Sequence, residues 1–145
     1  AAMRAVWAAS HAEFHGEFVD FDPVTSSPKP VNGNIPILVG GDTPAAIARA
    51  VKLADGYFPG EGDIDRLRAL IGRVHGACET AGRDPASLEI NAMFGTQMSD
   101  PKAGIEEMRA AGVGRIMIPA FFFAGPGGLD RMTALAEQIM PLAAE

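Results

Sequence analysis

A single cysteine, Cys78, is all the thiol chemistry the chain offers. It can form neither an internal disulfide nor a multi-cysteine metal site, and its place on the apolar stripe of a predicted helix reads as a small buried hydrophobe, not a reactive thiol. Basic residues are also scarce: 12 Lys and Arg stand against 18 Asp and Glu, for a net charge of −6. They are scattered singly, so the positive stripe that a nucleic-acid backbone needs is missing, and nucleic acid is not an expected partner. No apolar run approaches the roughly 20 residues of a membrane span, and the first residues lack the basic, apolar and small-residue order of a signal peptide. The chain reads as soluble and cytoplasmic, with no membrane partner.

What is present is the material of a core. With 48% apolar and 21% charged residues over 145 positions, residues 1–145 are expected to fold as a single domain. From Ile35 onward a short apolar run, a Gly or Pro break, a helical stretch and another break recur, which is the alternation of a parallel α/β sheet. The first unit has a strand over Ile35-Pro36-Ile37-Leu38-Val39, then Gly40-Gly41, then a helix with Ile47, Ala50, Val51 and Ala54 at helical spacing. Thr43 as N-cap and Pro44 at the first helical position set its start. A second strand around Tyr57-Phe58 leads to a helix whose Ile64, Leu67, Ile71, Val74, Cys78 and Ala81 share a face. Gly82 stops it and Pro85 prevents its continuation.

In the third unit Leu88, Ile90, Ala92 and Phe94 alternate with Glu89, Asn91 and Met93, predicting one face toward helices and one toward a partly polar interior. Asp100 and Pro101 cap and open the next helix, which ends near Gly112. The fourth unit has Arg115-Ile116-Met117-Ile118 as strand, a Phe121-Phe122-Phe123 loop, and a terminal helix with Leu129, Met132, Leu135, Ala136 and Ile139 on its apolar face. Ahead of these units, Met3 to His11 reads as the end of a helix and Glu13 to Asp22 as a hairpin around Gly16. The Pro-, Ser- and Gly-rich stretch from Pro23 to Asn34 reads as a connecting loop.

Four βα units are half of a (β/α)8 TIM barrel, which takes about 250 residues when closed. Half a barrel leaves two sheet edges unpaired, which predicts association with a missing N-terminal half-barrel or with a second copy as a homo-oligomer. A small doubly wound sheet, with helices on both faces, has the same unit count and needs no partner.

A strand entering a helix through Gly40-Gly41 brings bare backbone to a helix N-terminus, where free amides and the positive dipole end favour an anion. On residues alone this is a phosphate loop or merely a tight turn. Thr43 can cap the helix, bind a phosphate oxygen, or alternate. Asp42, a carboxylate at an anion site, is expected to face solvent.

Other residues carry weaker signals. His11 and His15 are four apart, but Gly16 makes a shared helix face doubtful and argues against a metal pair. His75 reads as a boundary histidine with a hydrogen-bond partner. Trp7, Phe14, Phe18 and Phe21 read as a satellite cluster around the hairpin, with roofing of a ligand ring as the alternative. Phe121-Phe122-Phe123 cannot all point inward, so at least one is exposed or in contact with a partner or ligand. Thr96 and Gln97 end the third strand and are either ligand contacts or ordinary loop polar residues.

A set of segments in fixed order resembles a known family. Trp7 is followed by Phe14-His15-Gly16-Glu17-Phe18 and Phe21, then Pro28-Lys29-Pro30-Val31. Next come Ile35-Pro36-Ile37-Leu38-Val39-Gly40-Gly41-Asp42-Thr43 and Ala54-Asp55-Gly56-Tyr57; Ala81-Gly82-Arg83-Asp84-Pro85 and Pro141 add to the likeness. Together they are similar to the C-terminal half of the luciferase-like monooxygenases, the deazaflavin-using group in particular. That resemblance implies an oxidoreductase acting on a small-molecule substrate, with coenzyme F420 as cofactor and FMN as the alternative. It also implies that Gly40, Gly41, Asp42 and Thr43 hold the cofactor phosphate. The first four βα units of the family have no counterpart here, so the chain is expected to be incomplete for catalysis alone. The competing reading is a non-catalytic binding or assembly module that keeps the half-barrel architecture.

Overall fold

In the computed structural model, which describes residues 1–143 with the side chains of all but Thr96 and Ala143, the chain divides into two units, Ala1–Pro36 and Ile37–Glu145. The first unit opens with α1 (Ala2–Ala8), shorter than the expected Met3 to His11 because Ala9 turns extended. Lys29 Nζ donates to the carbonyls of Val6 and Ala9 at 2.6 Å each, filling acceptors that a helix end leaves open. The expected hairpin follows as β1 (Ala12–His15) and β2 (Asp20–Val24), antiparallel, with Phe14 opposite Phe21 and His15 opposite Asp20. Gly16 N–H closes the turn onto Val19 O at 2.9 Å.

The second unit holds β3 (Leu38–Gly40), β4 (Gly56–Phe58), β5 (Glu89–Met93) and β6 (Arg115–Met117), all parallel and in the order β3-β4-β5-β6. They alternate with α2 (Pro44–Leu53), α3 (Ile64–Thr80), α4 (Pro101–Ala110) and α5 (Gly128–Ala143). Strand order decides between the two α/β layouts. Right-handed crossovers that always step the same way place every helix on one face, whereas a doubly wound sheet must reverse its order. One buried cluster confirms the single helical layer. Ile47, Ala50 and Val51 of α2, Leu67, Ile71, Val74 and Cys78 of α3 and Met108 of α4 meet Tyr57, Ile90 and Ala92 from the sheet and Phe94 just after β5. This is the layout of half a (β/α)8 barrel.

Two departures from the sequence expectation have local causes, whereas the Phe121 run behaves as expected, with at least one ring exposed. The first strand is only three residues long, because the Ile37 amide donates to the Asp55 carboxylate at 2.7 Å instead of joining a ladder. The terminal helix buries Leu135, but Leu129 is 70% and Met132 46% exposed, because α5 packs mainly on α4. The Phe121 run forms a short 3-10 turn, Ala120–Phe123, with Phe121 69% exposed and its ring 4.6 Å from that of Phe122.

The helix ends match their sequence signals. Thr43 and Asp100 each accept the backbone amide three residues on, Gly82 ends α3 at φ +68°, and Asp63, which the sequence reading did not single out, caps α3 in the same way. Just beyond, Arg83 reaches back to the last turn of α2, donating from Nη1 to the carbonyl of Val51 at 2.8 Å and to that of Ala50 at 3.3 Å. Its Nε and Nη2 hold Ser87. Among the described residues no helix is long and apolar enough to cross a membrane.

Candidate functional site

The carboxyl ends of parallel strands are where an α/β sheet gathers its loops, and the loop after β3 is the tightest of them. Gly40 and Gly41 make the corner. A Cβ on Gly40 would lie 3.2 Å from Phe58 O, and one on Gly41 3.1 Å from Ala46 Cβ; Gly41 also sits at φ +107°, where L side chains are strained. Both polar atoms of Gly41 are engaged. Its amide donates to Phe58 O at 3.3 Å, and its carbonyl accepts from the Tyr57 hydroxyl at 2.7 Å.

Thr43 Oγ1 accepts from the Ala46 amide at 3.2 Å, and Thr43 O accepts from Ile47 at 3.0 Å. The cap leaves the threonine hydroxyl proton free to donate outward, so capping and contact with an anion are compatible. Pro44 has no N–H. The amides of Asp42, Thr43 and Ala45 are therefore the donors that the helix itself does not use. Gly40, Asp42 and Thr43 are exposed and Gly41 half-buried, so the corner opens to solvent, and Asp42 faces it as expected.

Beside Asp42 lies a cavity of about 320 Å³ lined also by Glu61, Arg66, Ala69, Leu70 and Arg73. Two guanidinium groups on α3 thus flank the corner, facing two carboxylates. Burial pushes the Tyr57 hydroxyl above the ordinary phenol range; Arg73 pulls it back and Asp42 adds to the rise. These α3 arginines and the Tyr57 hydroxyl escaped the sequence reading. Arg66 and Arg73, seven apart and so on one helix face, were the legible signal for the pair.

The other candidates are spread elsewhere. Gln97 is buried, only 6% exposed, and spends its amide on neighbouring loops: Oε1 accepts from Gly95 N and Nε2 donates to Gly62 O, each at 3.1 Å. The Thr96 side chain lies outside the described residues. His75 is half-buried and lines a second cavity with Asp55, Asp84 and Glu89 at the amino ends of the strands. In the first unit the histidines take separate partners, His11 with Thr25 and His15 with Asp20. Phe14 and Phe21 pack with ring centroids 6.2 Å apart, while Phe18 is 90% exposed. Asn91, on the β5 face expected to meet a partly polar interior, is fully buried; its Nδ2 donates to Glu89 O at 3.3 Å while Oδ1 has no partner among the described residues.

The profile of the luciferase-like monooxygenases matches residues 1–142. An uncharacterised protein of Mycobacterium tuberculosis is 35% identical over 117 residues, covering 80% of this chain and 38% of its own length. A FMNH(2)-dependent dimethylsulfone monooxygenase of Pseudomonas putida is 28% identical over 82 residues, covering 56% of this chain and 23% of its own. The chain thus spans well under half of these relatives. Among solved structures, the coenzyme F420-dependent tetrahydromethanopterin reductase from Methanopyrus kandleri superposes with a TM-score of 0.63 at 12% identity, over 81% of this chain and 54% of that one. An F420-dependent secondary alcohol dehydrogenase gives 0.59 at 16% identity, over 80% and 52%. At such identities the likeness is one of fold.

Proposed function

Because the chain belongs to the luciferase-like monooxygenase family, we propose that it is the part of an oxidoreductase that holds the phosphate of a flavin-type cofactor at Gly40, Gly41, Asp42 and Thr43. Coenzyme F420 is the proposed cofactor and FMN the alternative. The observation that carries this reading is the solvent-open corner itself, where three amides unused by the helix meet a threonine hydroxyl with a free proton. Such a donor set suits a phosphate, and the arginine pair across the adjoining cavity adds to it. When bound, such a cofactor supplies hydride transfer or, in the case of FMN, oxygen activation. The residues of this chain bind and orient it.

The strands β3 and β6 each have one neighbour within the sheet. Further strands, from a preceding half-barrel or a second copy, would close the lumen and complete a small-molecule substrate pocket in a cytoplasmic enzyme. A second reading, a binding or assembly module without turnover, is favoured by the Asp42 and Glu61 carboxylates at the rim and by the Gly41 amide being spent on Phe58.

Fluorescence titration with coenzyme F420, FMN and riboflavin separates the two. Phosphate recognition predicts FMN binding tighter than riboflavin by about tenfold or more, with inorganic phosphate competing and Gly41→Asp abolishing the difference. Equal affinity for FMN and riboflavin, or no binding of either cofactor, favours the assembly module.

A further inference from the structure

The loops after β4 and β5 are joined at one buried side chain. Gln97 bridges them through the two hydrogen bonds described above, one within its own loop and one to Gly62 across the gap. The surroundings are shaped for that bridge. A Cβ on Gly104 of α4 would come within 2.4 Å of Gln97 Cβ, so only glycine leaves room for the glutamine there. Gly62 and Gly95 approach backbone to backbone, a Cβ on Gly95 lying 3.3 Å from Gly62 Cα.

Beyond Gly62 the connection continues. Glu61 Oε1 accepts from the amides of Gly62 and Asp63 at 2.9 Å each, and Glu61 Oε2 lies 3.9 Å from Arg66 Nη1. Glu61 and Arg66 then line the cavity beside Asp42. A path of contacts therefore runs from the loop after β5, through Gly62, to the α3 wall of the corner.

We propose that Gln97 is a positioning residue that clamps the loop of residues 59–63 against that of residues 95–99 and so sets the Glu61 and Arg66 wall of the anion corner. The clamp stands on geometry alone; its effect on a cofactor rests on the proposed function. Gln97 itself touches no ligand in this role, since both ends of its amide are used within the fold.

Two variants of the full chain test it. Gln97→Met keeps the volume and removes both hydrogen bonds. Gln97→Glu keeps an acceptor for Gly95 N, but its other oxygen can donate to Gly62 O only when the carboxyl is protonated, a state that burial favours. Hydrogen exchange, corrected for intrinsic rates, is expected to be about tenfold faster in residues 59–63 of Gln97→Met. Gln97→Glu should match it near pH 8 and return toward the parent near pH 5. A side chain that merely fills space would show no such pH rescue.

FMN affinity, read by fluorescence, should fall several-fold in the same variants with the same pH pattern. Faster exchange confined to residues 95–99, or a Gln97→Glu profile with no pH dependence, overturns the clamp. Faster exchange in residues 59–63 with unaltered FMN affinity overturns its role in setting the corner. Exchange needs no cofactor, so a parent chain that bound no FMN would refute the proposed function alone and leave the clamp to be decided by exchange. Should Gln97→Met fail to fold, Gln97→Glu still decides by its pH dependence.

Discussion

The Tyr57 hydroxyl donates to the carbonyl of Gly41 at 2.7 Å, tying the second residue of the diglycine corner to a ring wholly buried in the neighbouring strand. Replacing Tyr57 with Phe keeps the ring and strands the Gly41 carbonyl. A loss of about 1 kcal/mol in urea unfolding is expected, with FMN affinity weakened at the same time. An unchanged midpoint and affinity would show that the corner holds its shape without the phenol.

Alkaline pH should weaken the fold. Burial raises both the Tyr57 hydroxyl and the Cys78 thiol; Arg83 pulls the thiol back, while Asp84 and Glu79 raise it further. Each group is neutral when protonated, so the unfolded chain releases its proton first as pH rises. The stability they contribute is whole below the ordinary thiol and phenol values and is lost as pH climbs through the raised ones. Denaturation midpoints should therefore decline from about pH 9 upward, and the double variant Cys78→Ala, Tyr57→Phe should flatten that decline. An identical slope in the double variant would assign the effect to other groups.

Thr43→Ala removes the cap on α2. A cost of about 1 kcal/mol is expected, measured by thermal unfolding, with Thr43→Ser close to the parent. If Thr43→Ser recovers stability but not FMN affinity, the methyl group, and not the hydroxyl, is what the site uses.

Gly56 is hemmed by Leu38 Cδ2 at 2.5 Å and Glu89 O at 2.8 Å from where a Cβ would stand. Leu38 can swing away, but the β5 carbonyl cannot without breaking the sheet. Gly56→Ala should destabilise by about 1–3 kcal/mol, and a fully stable variant would contradict the register of β4 against β5.

Sheet edges left open among the described residues and the exposed Leu129, Met132 and Met140 of α5 predict self-association of the purified 15.2 kDa chain. Sedimentation velocity should give a species of dimer mass or larger, and the double variant Leu129→Lys, Met132→Lys should shift it toward monomer. A well-folded parent chain that sediments only as monomer would remove the argument for a closing partner.

Helix starts were legible because they are written locally: Thr43 with Pro44 and Asp100 with Pro101 state both the cap and the first turn within two residues. The α3 face was legible from its period. The strand at Ile35 was overextended because Asp55, eighteen residues away, captures the Ile37 amide, and no local pattern announces that. For the same reason the glycine pair was legible, but not the Tyr57 hydroxyl on Gly41 or the cavity that Asp42 shares with Arg66 and Arg73, which only the packing of α3 beside α2 brings near. Local pattern leaves Gln97 between a ligand contact and an ordinary loop polar residue, because its burial depends on Gly104, a residue that helical patterning treats as a weakness.

Arg83 gives α2 a second anchor. Since its guanidinium binds the last carbonyls of that helix from a turn about thirty residues downstream, α2 cannot fray from its C-terminal end without loosening the turn that follows α3. The two segments should open as one unit in native-state exchange. A diglycine corner at one end of α2 is thereby braced from the opposite end of the sheet, and a lesion at Arg83 would be felt at a place it never touches.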